Sequence, residues 1–167
     1  EEFLQMVEAV RPTQCTLVPD APDQLTSDHG WDAIARGDLL RDVVERLHAA
    51  GIRTSLFIDP DPAQLDAAKA TGTDRVELYT GPYAEAVSTD AEQAVTPYAI
   101  AGHHAADIDL GLNAGHDLNL DNLSFFVRHV PRVLEVSIGQ AFVRDCLYDG
   151  LENTIGYYLR ALDKPAR

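Results

Sequence analysis

The chain has 167 residues, of which 46% are hydrophobic and 24% charged, a balance typical of one globular domain rather than of a disordered or membrane protein. The formal net charge is −14 and Lys and Arg form no cluster, which excludes the basic face expected of a nucleic-acid-binding protein. No apolar run is long enough to span a bilayer and no signal-peptide pattern opens the chain, so we expect a cytoplasmic protein.

Residues that bind metals or form disulfides do not occur at useful spacings. Cys15 and Cys146 are too few and too far apart for a disulfide framework or a zinc ribbon. His103 and His104 are adjacent on a predicted helix, so they point to different faces, and no carboxylate or Cys stands at ligand spacing from them. We therefore expect neither a metal nor any other cofactor.

Hydrophobic periodicity alternates between the helical and the strand repeat along the whole chain. Helices are predicted over 1–10, 38–50, 61–71, 84–107 and 120–130, and from the last strand to about 162. Strands are predicted over 13–18, 53–58, 75–79, 109–113 and 134–138. Pro97 predicts an interruption of the fourth helix, and Gly150 a break in the last helical stretch.

Short, nearly continuously apolar strands that alternate with helices predict a parallel sheet covered on both faces. An open doubly wound sheet and a (β/α)8 barrel both fit this pattern. The chain has no GxGxxG or Walker loop, and polar residues stand at the C-terminal ends of its strands, where barrel enzymes build their active sites. These residues are Asp59, Glu77, Asn113 with His116, and Ser137 with Gly139.

We therefore predict an α/β fold of the (β/α)8 TIM-barrel family, as one domain over 1–167 with five parallel strands. Five strands cannot close an eight-stranded barrel. The chain starts at Glu1 without a Met and runs directly into a helical pattern. We expect this single domain to be a partial barrel whose first three strands precede Glu1.

Two residues and one loop are candidates for chemistry. Glu77 lies inside an apolar strand, where it either serves catalysis or forms a salt bridge with a residue such as Arg53 on the neighbouring strand. His116 heads the loop after a strand, a natural place for a general acid or base, although a lone His is more often structural. The loop 137–141 is either a phosphate site at a helix N-terminus or a simple turn.

The motifs together resemble the pyridoxine 5'-phosphate synthase family, and the resemblance covers essentially the whole chain in order. NAGHDLN and EVSIG in tandem are highly specific, whereas a single short strand motif would not be. The matching segments are TLVP from Thr16 with Thr26 shortly after, SLFID from Ser55, VELYTG from Val76, NAGHDLN from Asn113, EVSIG from Glu135 and GLENT from Gly150.

The resemblance implies a transferase-type condensing synthase of vitamin B6 biosynthesis. Such an enzyme joins 3-amino-2-oxopropyl phosphate to 1-deoxy-D-xylulose 5-phosphate and releases pyridoxine 5'-phosphate, phosphate and water. His116 matches the proton donor of the family, and Glu77 matches the carboxylate that stabilises the transition state. Among substrate-binding positions, Thr26 matches a contact to deoxyxylulose phosphate, and Asp117, Gly139 and Gln140 match contacts to the amino-ketone phosphate. The resemblance also implies a homo-oligomer with small phosphorylated substrates.

The sequence departs from the family pattern at several points. Gln140 stands where a His is expected, and His29 where a Gly is common. The general base of the family belongs to the third strand, which would precede Glu1, so we expect the isolated chain to be inactive. Two alternatives stay open: another phosphosugar aldolase or isomerase on the same barrel, and a truncated subunit that binds or assembles without catalysis.

Overall fold

A computed structural model describes residues 2–163, which form one sheet of five strands together with eight helices. The strands are β1 (Gln14–Leu17), β2 (Arg53–Ile58), β3 (Arg75–Tyr79), β4 (Gly111–Gly115) and β5 (Val133–Ser137). The helices are α1 (Glu2–Val10), α2 (Ala33–Ala49), α3 (Pro62–Ala70), α4 (Gly81–Ala86), α5 (Ala91–Asp107), α6 (Leu123–His129), α7 (Gln140–Asp149) and α8 (Leu151–Leu162).

The strand order distinguishes between the two architectures that the sequence left open. All neighbouring strands are parallel and the order is β1-β2-β3-β4-β5, the same as in the chain. A doubly wound sheet reverses its strand order at a switch point, whereas a barrel adds each strand on the same side of the last. The predicted α/β fold of the (β/α)8 barrel family, here with five parallel strands, is therefore confirmed. That the chain is one partial barrel domain stays a prediction.

The two faces of the sheet differ in polarity because successive side chains of a strand point to opposite sides. Leu56, Val76 and Leu112 belong to the face under the helices and are at most 1% exposed. The other face is polar, as expected for side chains that surround an active site: Arg53 on β2 and Arg75 on β3 both pair with Glu135 on β5. The core therefore lies between the sheet and its helices.

Two observed helix boundaries differ from the predicted ones, and a third agrees. Helix α2 begins at Ala33 rather than at 38, because the Asp32 side chain accepts a hydrogen bond from the Ala35 N–H and caps the helix there. The fourth predicted helix is interrupted before Asp90, which caps α5, and not at Pro97, which lies inside α5. The break at Gly150 is confirmed, with α7 ending before it and α8 beginning after it.

Strand β4 runs two residues further than predicted, to Gly115. Asn113 therefore lies in the middle of this strand rather than at its end. There the Asn113 side chain accepts a hydrogen bond from Arg75 at 3.0 Å and donates one to Glu135 at 3.4 Å.

Within residues 2–163, none of the helices is long and apolar enough to cross a membrane.

Candidate active site

A cavity of about 600 Å³ opens at the C-terminal ends of β4 and β5. The position agrees with the general rule that barrel enzymes carry out their chemistry at this end of the strands. Of the catalytic and substrate-binding residues that the family resemblance implies, all line it except Glu77; Asp59 and Asn113 also lie outside its lining. The lining residues are Thr26, His116, Asp117, Leu118, Ser137, Ile138, Gly139, Gln140 and Ala141.

His116 is held from several directions at the mouth of this cavity. Its Nδ1 lies 2.9 Å from a carboxylate oxygen of Asp117, and its Nε2 lies 2.9 Å from the Thr26 hydroxyl. The edge of the Tyr79 ring packs against the imidazole at a centroid distance of 5.1 Å. A carboxylate at Nδ1 favours the tautomer in which that nitrogen carries a proton, and it fixes the orientation of the ring. This arrangement suits an imidazole that transfers a proton from Nε2 to a substrate bound in the cavity.

Thr26 reaches His116 because its loop is anchored at the far end. The Trp31 side chain donates from Nε1 to the Leu17 carbonyl at 3.0 Å, and the Trp31 N–H donates to the Phe57 carbonyl at 2.8 Å. Gly30 lies so close to the backbone of Ile58 that a Cβ at this position would overlap it. The loop between β1 and α2 is thereby tied to the end of β2 and extends across the strand ends.

The departure at His29 lies outside the cavity lining. Its side chain is 55% exposed and its Nδ1 pairs with the neighbouring carboxylate of Asp28. The departure at Gln140 does lie in the cavity lining, as the first residue of α7.

Glu77 lies just behind the cavity, on β3, and is 7% exposed. Burial raises the pKa of its carboxyl group, hydrogen bonds from Ser137 and Thr16 offset part of that rise, and the charge of Glu135 adds to it. The Thr16 hydroxyl donates to the carboxylate at 3.2 Å. Gly115 leaves room for the carboxylate, since a Cβ there would overlap its Oε1.

The alternative reading of Glu77 as the salt-bridge partner of Arg53 is wrong. The Arg53 guanidinium pairs with Glu135 at 2.9 Å, and so does Arg75 at 2.8 Å. Both arginines pair with Glu135, whereas Glu77 accepts its hydrogen bonds from the hydroxyl groups of Thr16 and Ser137, which carry no charge to compensate its own.

The first turn of α7 borders the same cavity. Gly139 is the N-cap residue and gives the helix no side-chain hydrogen bond, so the first N–H groups of α7 have no capping side chain. No heavy atom outside the adjoining residues lies within 4 Å of a Cβ built on Gly139, so a ligand can approach the backbone closely. Such a terminus binds anions such as phosphate.

The expected absence of a metal is not contradicted by side-chain placement. Across residues 2–163, no three His, Cys, Asp or Glu side chains gather closely enough to hold an ion. His104, one of the adjacent histidines on α5, instead pairs through Nε2 with Asp66 at 2.8 Å.

Solved structures support the fold. The YdjI aldolase from Escherichia coli K12 superimposes with a TM-score of 0.56 over 96% of this chain and 61% of that chain. The sequence identity of the pair is 14%, so the likeness concerns the fold alone.

Curated relatives are much closer in sequence. The pyridoxine 5'-phosphate synthase of Porphyromonas gingivalis is 54% identical over 158 residues, which is 95% of this chain and 66% of that protein. The enzyme of the same name from Bacteroides thetaiotaomicron is 49% identical over 96% of this chain and 68% of that protein. The chain thus spans about two thirds of the length of these relatives.

Residues 1–164 also match the sequence family described as "Pyridoxal phosphate biosynthesis protein PdxJ". A match over nearly the whole chain, together with relatives at this identity, shows that the chain belongs to the PdxJ family of pyridoxal phosphate biosynthesis proteins.

Proposed function

We propose that the chain forms the proton-donating and phosphate-binding part of a pyridoxine 5'-phosphate synthase. This enzyme condenses 3-amino-2-oxopropyl phosphate with 1-deoxy-D-xylulose 5-phosphate to give pyridoxine 5'-phosphate, phosphate and water. The observation that carries the proposal is the cavity in which His116, held by Thr26 and Asp117, faces the uncapped N-terminus of α7. The names of the relatives support the same reaction.

His116 serves as the proton donor in this proposal. The reaction passes through a Schiff base, an enol, loss of phosphate and ring closure, so protons must be delivered to specific atoms in turn. The Asp117 carboxylate at Nδ1 orients the imidazole, while Nε2 at 2.9 Å from the Thr26 hydroxyl faces the cavity. Thr26 then binds the deoxyxylulose phosphate beside the group that protonates it.

Glu77 stabilises positive charge. A Schiff base is cationic when protonated, and a buried carboxylate without a cationic partner interacts strongly with such a charge in a medium of low dielectric constant. Glu77 meets this description because its hydrogen-bond donors are the hydroxyl groups of Thr16 and Ser137, and Arg53 and Arg75 on the same face of the sheet pair with Glu135.

The amino-ketone phosphate binds at the first turn of α7 in this proposal. Backbone N–H groups of Gly139 and Gln140 supply the contacts, so the change from the expected His to Gln140 preserves them. Asp117 lines the same cavity, and its carboxylate holds the substrate amine in this proposal.

We further propose that three more parallel strands complete the barrel beside β1 and β5, that the protein assembles as a homo-oligomer, and that it works in the cytoplasm. The consecutive strand order supports closure of the barrel, because it leaves β1 and β5 as the two edges of the sheet. The thiols of Cys15 and Cys146 are free, which suits a reducing compartment.

Schiff-base aldolase chemistry through a lysine finds no support at this site. The Lys69 ammonium group lies on α3 and donates to the Asp109 carbonyl at 2.6 Å, before β4 rather than after it. Lys164 lies outside the described residues.

A chimera tests the proposal. Residues 2–163 replace the aligned segment of the Porphyromonas gingivalis synthase, and the purified protein is assayed for pyridoxine 5'-phosphate with both substrates. We expect activity in the parent chimera and a loss of about 100-fold or more in kcat for His116→Gln, the scale of general acid catalysis. Thr26→Val should raise KM for deoxyxylulose phosphate, with Thr26→Ser as the matched control.

Three results separate the alternatives. A folded chimera that binds both substrates without turnover indicates a subunit that binds but does not catalyse. A folded chimera that binds neither substrate contradicts the proposed function. Full activity in His116→Gln contradicts the assignment of the proton donor while leaving the reaction itself intact.

A further inference from the structure

We propose that Thr80 is a positioning residue, which fixes the backbone of His116 and so directs its imidazole into the cavity. The inference rests on the proposed function only in making His116 the proton donor; the geometry of the loop is independent of it. Thr80 directly follows β3, is 0% exposed and does not line the cavity.

The first observation is that the Thr80 hydroxyl does not serve its own helix. Thr80 occupies the N-cap position of α4, where a Thr hydroxyl ordinarily accepts a hydrogen bond from an N–H of the first turn. No such bond is present at this helix. The hydroxyl instead points across to the neighbouring strand, where its one proton is shared in a bifurcated hydrogen bond between the Gly115 carbonyl at 2.7 Å and the His116 carbonyl.

The second observation is the unusual backbone that these carbonyls belong to. His116 has a φ of 91° and Asp117 a φ of 58°, both in the region that residues with a side chain seldom adopt. Such conformations persist only where the surroundings hold them, and they concentrate at functional sites. The Thr80 hydroxyl therefore contacts the backbone directly at the segment with positive φ angles.

A second side chain supports the same segment from the other direction. The Asn122 amide, 3% exposed, donates to the Asp117 carbonyl at 3.1 Å. Three consecutive carbonyls, those of Gly115, His116 and Asp117, thus each accept a hydrogen bond from a buried side chain. Because donors on both sides fix the peptide planes, the loop has little freedom to relax.

The direction of the imidazole follows from this backbone. A change of φ at His116 swings its Cα–Cβ bond and would separate Nε2 from the Thr26 hydroxyl, now at 2.9 Å. Without the Thr80 hydroxyl, the Gly115 carbonyl keeps the Thr80 N–H at 2.9 Å, whereas the His116 carbonyl loses its side-chain donor. The expected effect of that loss is local to His116.

The test compares Thr80→Val, which removes the hydroxyl at nearly constant volume, with Thr80→Ser, which keeps it. Both are made in the full 167-residue chain, with 15N-labelled histidine and a His116→Gln variant to assign its imidazole signals. We expect Thr80→Val to move the His116 Nδ1 and Nε2 signals and Thr80→Ser to leave them near the parent values. Thr96→Val, which removes a hydroxyl bonded to a helix carbonyl on α5, should move neither.

Unchanged His116 signals in folded Thr80→Val overturn the proposal, and so do signals that move equally in Thr80→Ser. The imidazole signals can be measured without catalysis, so the positioning role of Thr80 can hold even if the chimera makes no product. Conversely, the expected shift of the signals would not support the synthase function if the chimera makes no product.

A second measurement applies even if Thr80→Val alone does not fold. Glycine adopts positive φ without strain, so Asp117→Gly removes the backbone strain at position 117 that the surrounding hydrogen bonds must offset. We expect Thr80→Val to lower the urea midpoint less in the Asp117→Gly background than in the parent chain and, where Thr80→Val alone does not fold, we expect the double variant to fold. An equal or larger loss in that background, or failure of the double variant to fold, overturns the proposal.

Discussion

Replacing Gly115 by Ala tests the packing of the candidate site most sharply. The added methyl group would overlap the Glu77 carboxylate and lie 3.1 Å from the Ser137 Cβ. Glu77 is 7% exposed, so its carboxylate can move only by giving up the 3.2 Å hydrogen bond from Thr16. Overpacking of this kind costs about 1–3 kcal/mol and a lost hydrogen bond to a charged group about 1.5–3 kcal/mol.

We therefore expect Gly115→Ala to lower the free energy of unfolding by about 3 kcal/mol, and Tm by about 6–12 °C for a chain of this length. Thermal and urea unfolding followed by circular dichroism measure both quantities. The matched control is Gly37→Ala inside α2, where no heavy atom lies within 4 Å of the added Cβ. That change should stabilise the protein by up to about 1 kcal/mol.

The same sign for the two Gly→Ala changes would refute this reasoning. In particular, a Gly115→Ala protein as stable as its parent would mean that the Glu77 carboxylate does not lie against Gly115. The proposed interaction of Glu77 with a cationic intermediate would then lose its structural basis.

Two further predictions concern pH. Burial raises the pKa of Glu77, so the free energy of unfolding should fall as pH rises from the ordinary glutamate pKa to the raised one. Urea titrations at several pH values measure this decline, and Glu77→Gln should remove it. Partial burial opposes ionisation of Asp74, but the Thr54 N–H and His48 outweigh it and lower its pKa. Stability from Asp74 should therefore be lost as pH falls through the lowered pKa, and the deficit of Asp74→Asn at neutral pH should vanish in acid.

Much of the fold follows from local patterns. The bounds of β2 and β3 are those predicted, because each is a short apolar run between clear helix ends. The start of α2 was missed because several polar residues precede it, and only the structure shows that Asp32 provides the cap. The strand order, which favours the barrel over the open sheet, is a tertiary property that periodicity cannot supply.

The sequence indicates several residues that line the candidate cavity, but not the contacts between them. The NAGHDLN motif indicates His116 and Asp117, yet Thr26 lies 90 positions from His116 and no spacing rule connects them. Tyr79 and Thr80 were missed as supports of the loop, although their place at the C-terminal end of a strand and directly after it was a usable signal. The ion pair between Arg53 and Glu135 could not be predicted either, because it depends on how the strands are aligned in the sheet.

The central claim is tested most directly with the chimera that carries residues 2–163. The chimera is incubated with both substrates, and the pyridoxine 5'-phosphate that forms is measured by mass spectrometry. The proposed function predicts product in the parent chimera and a loss of about 100-fold or more in His116→Gln at unchanged folding. A folded parent chimera that yields no product would contradict it.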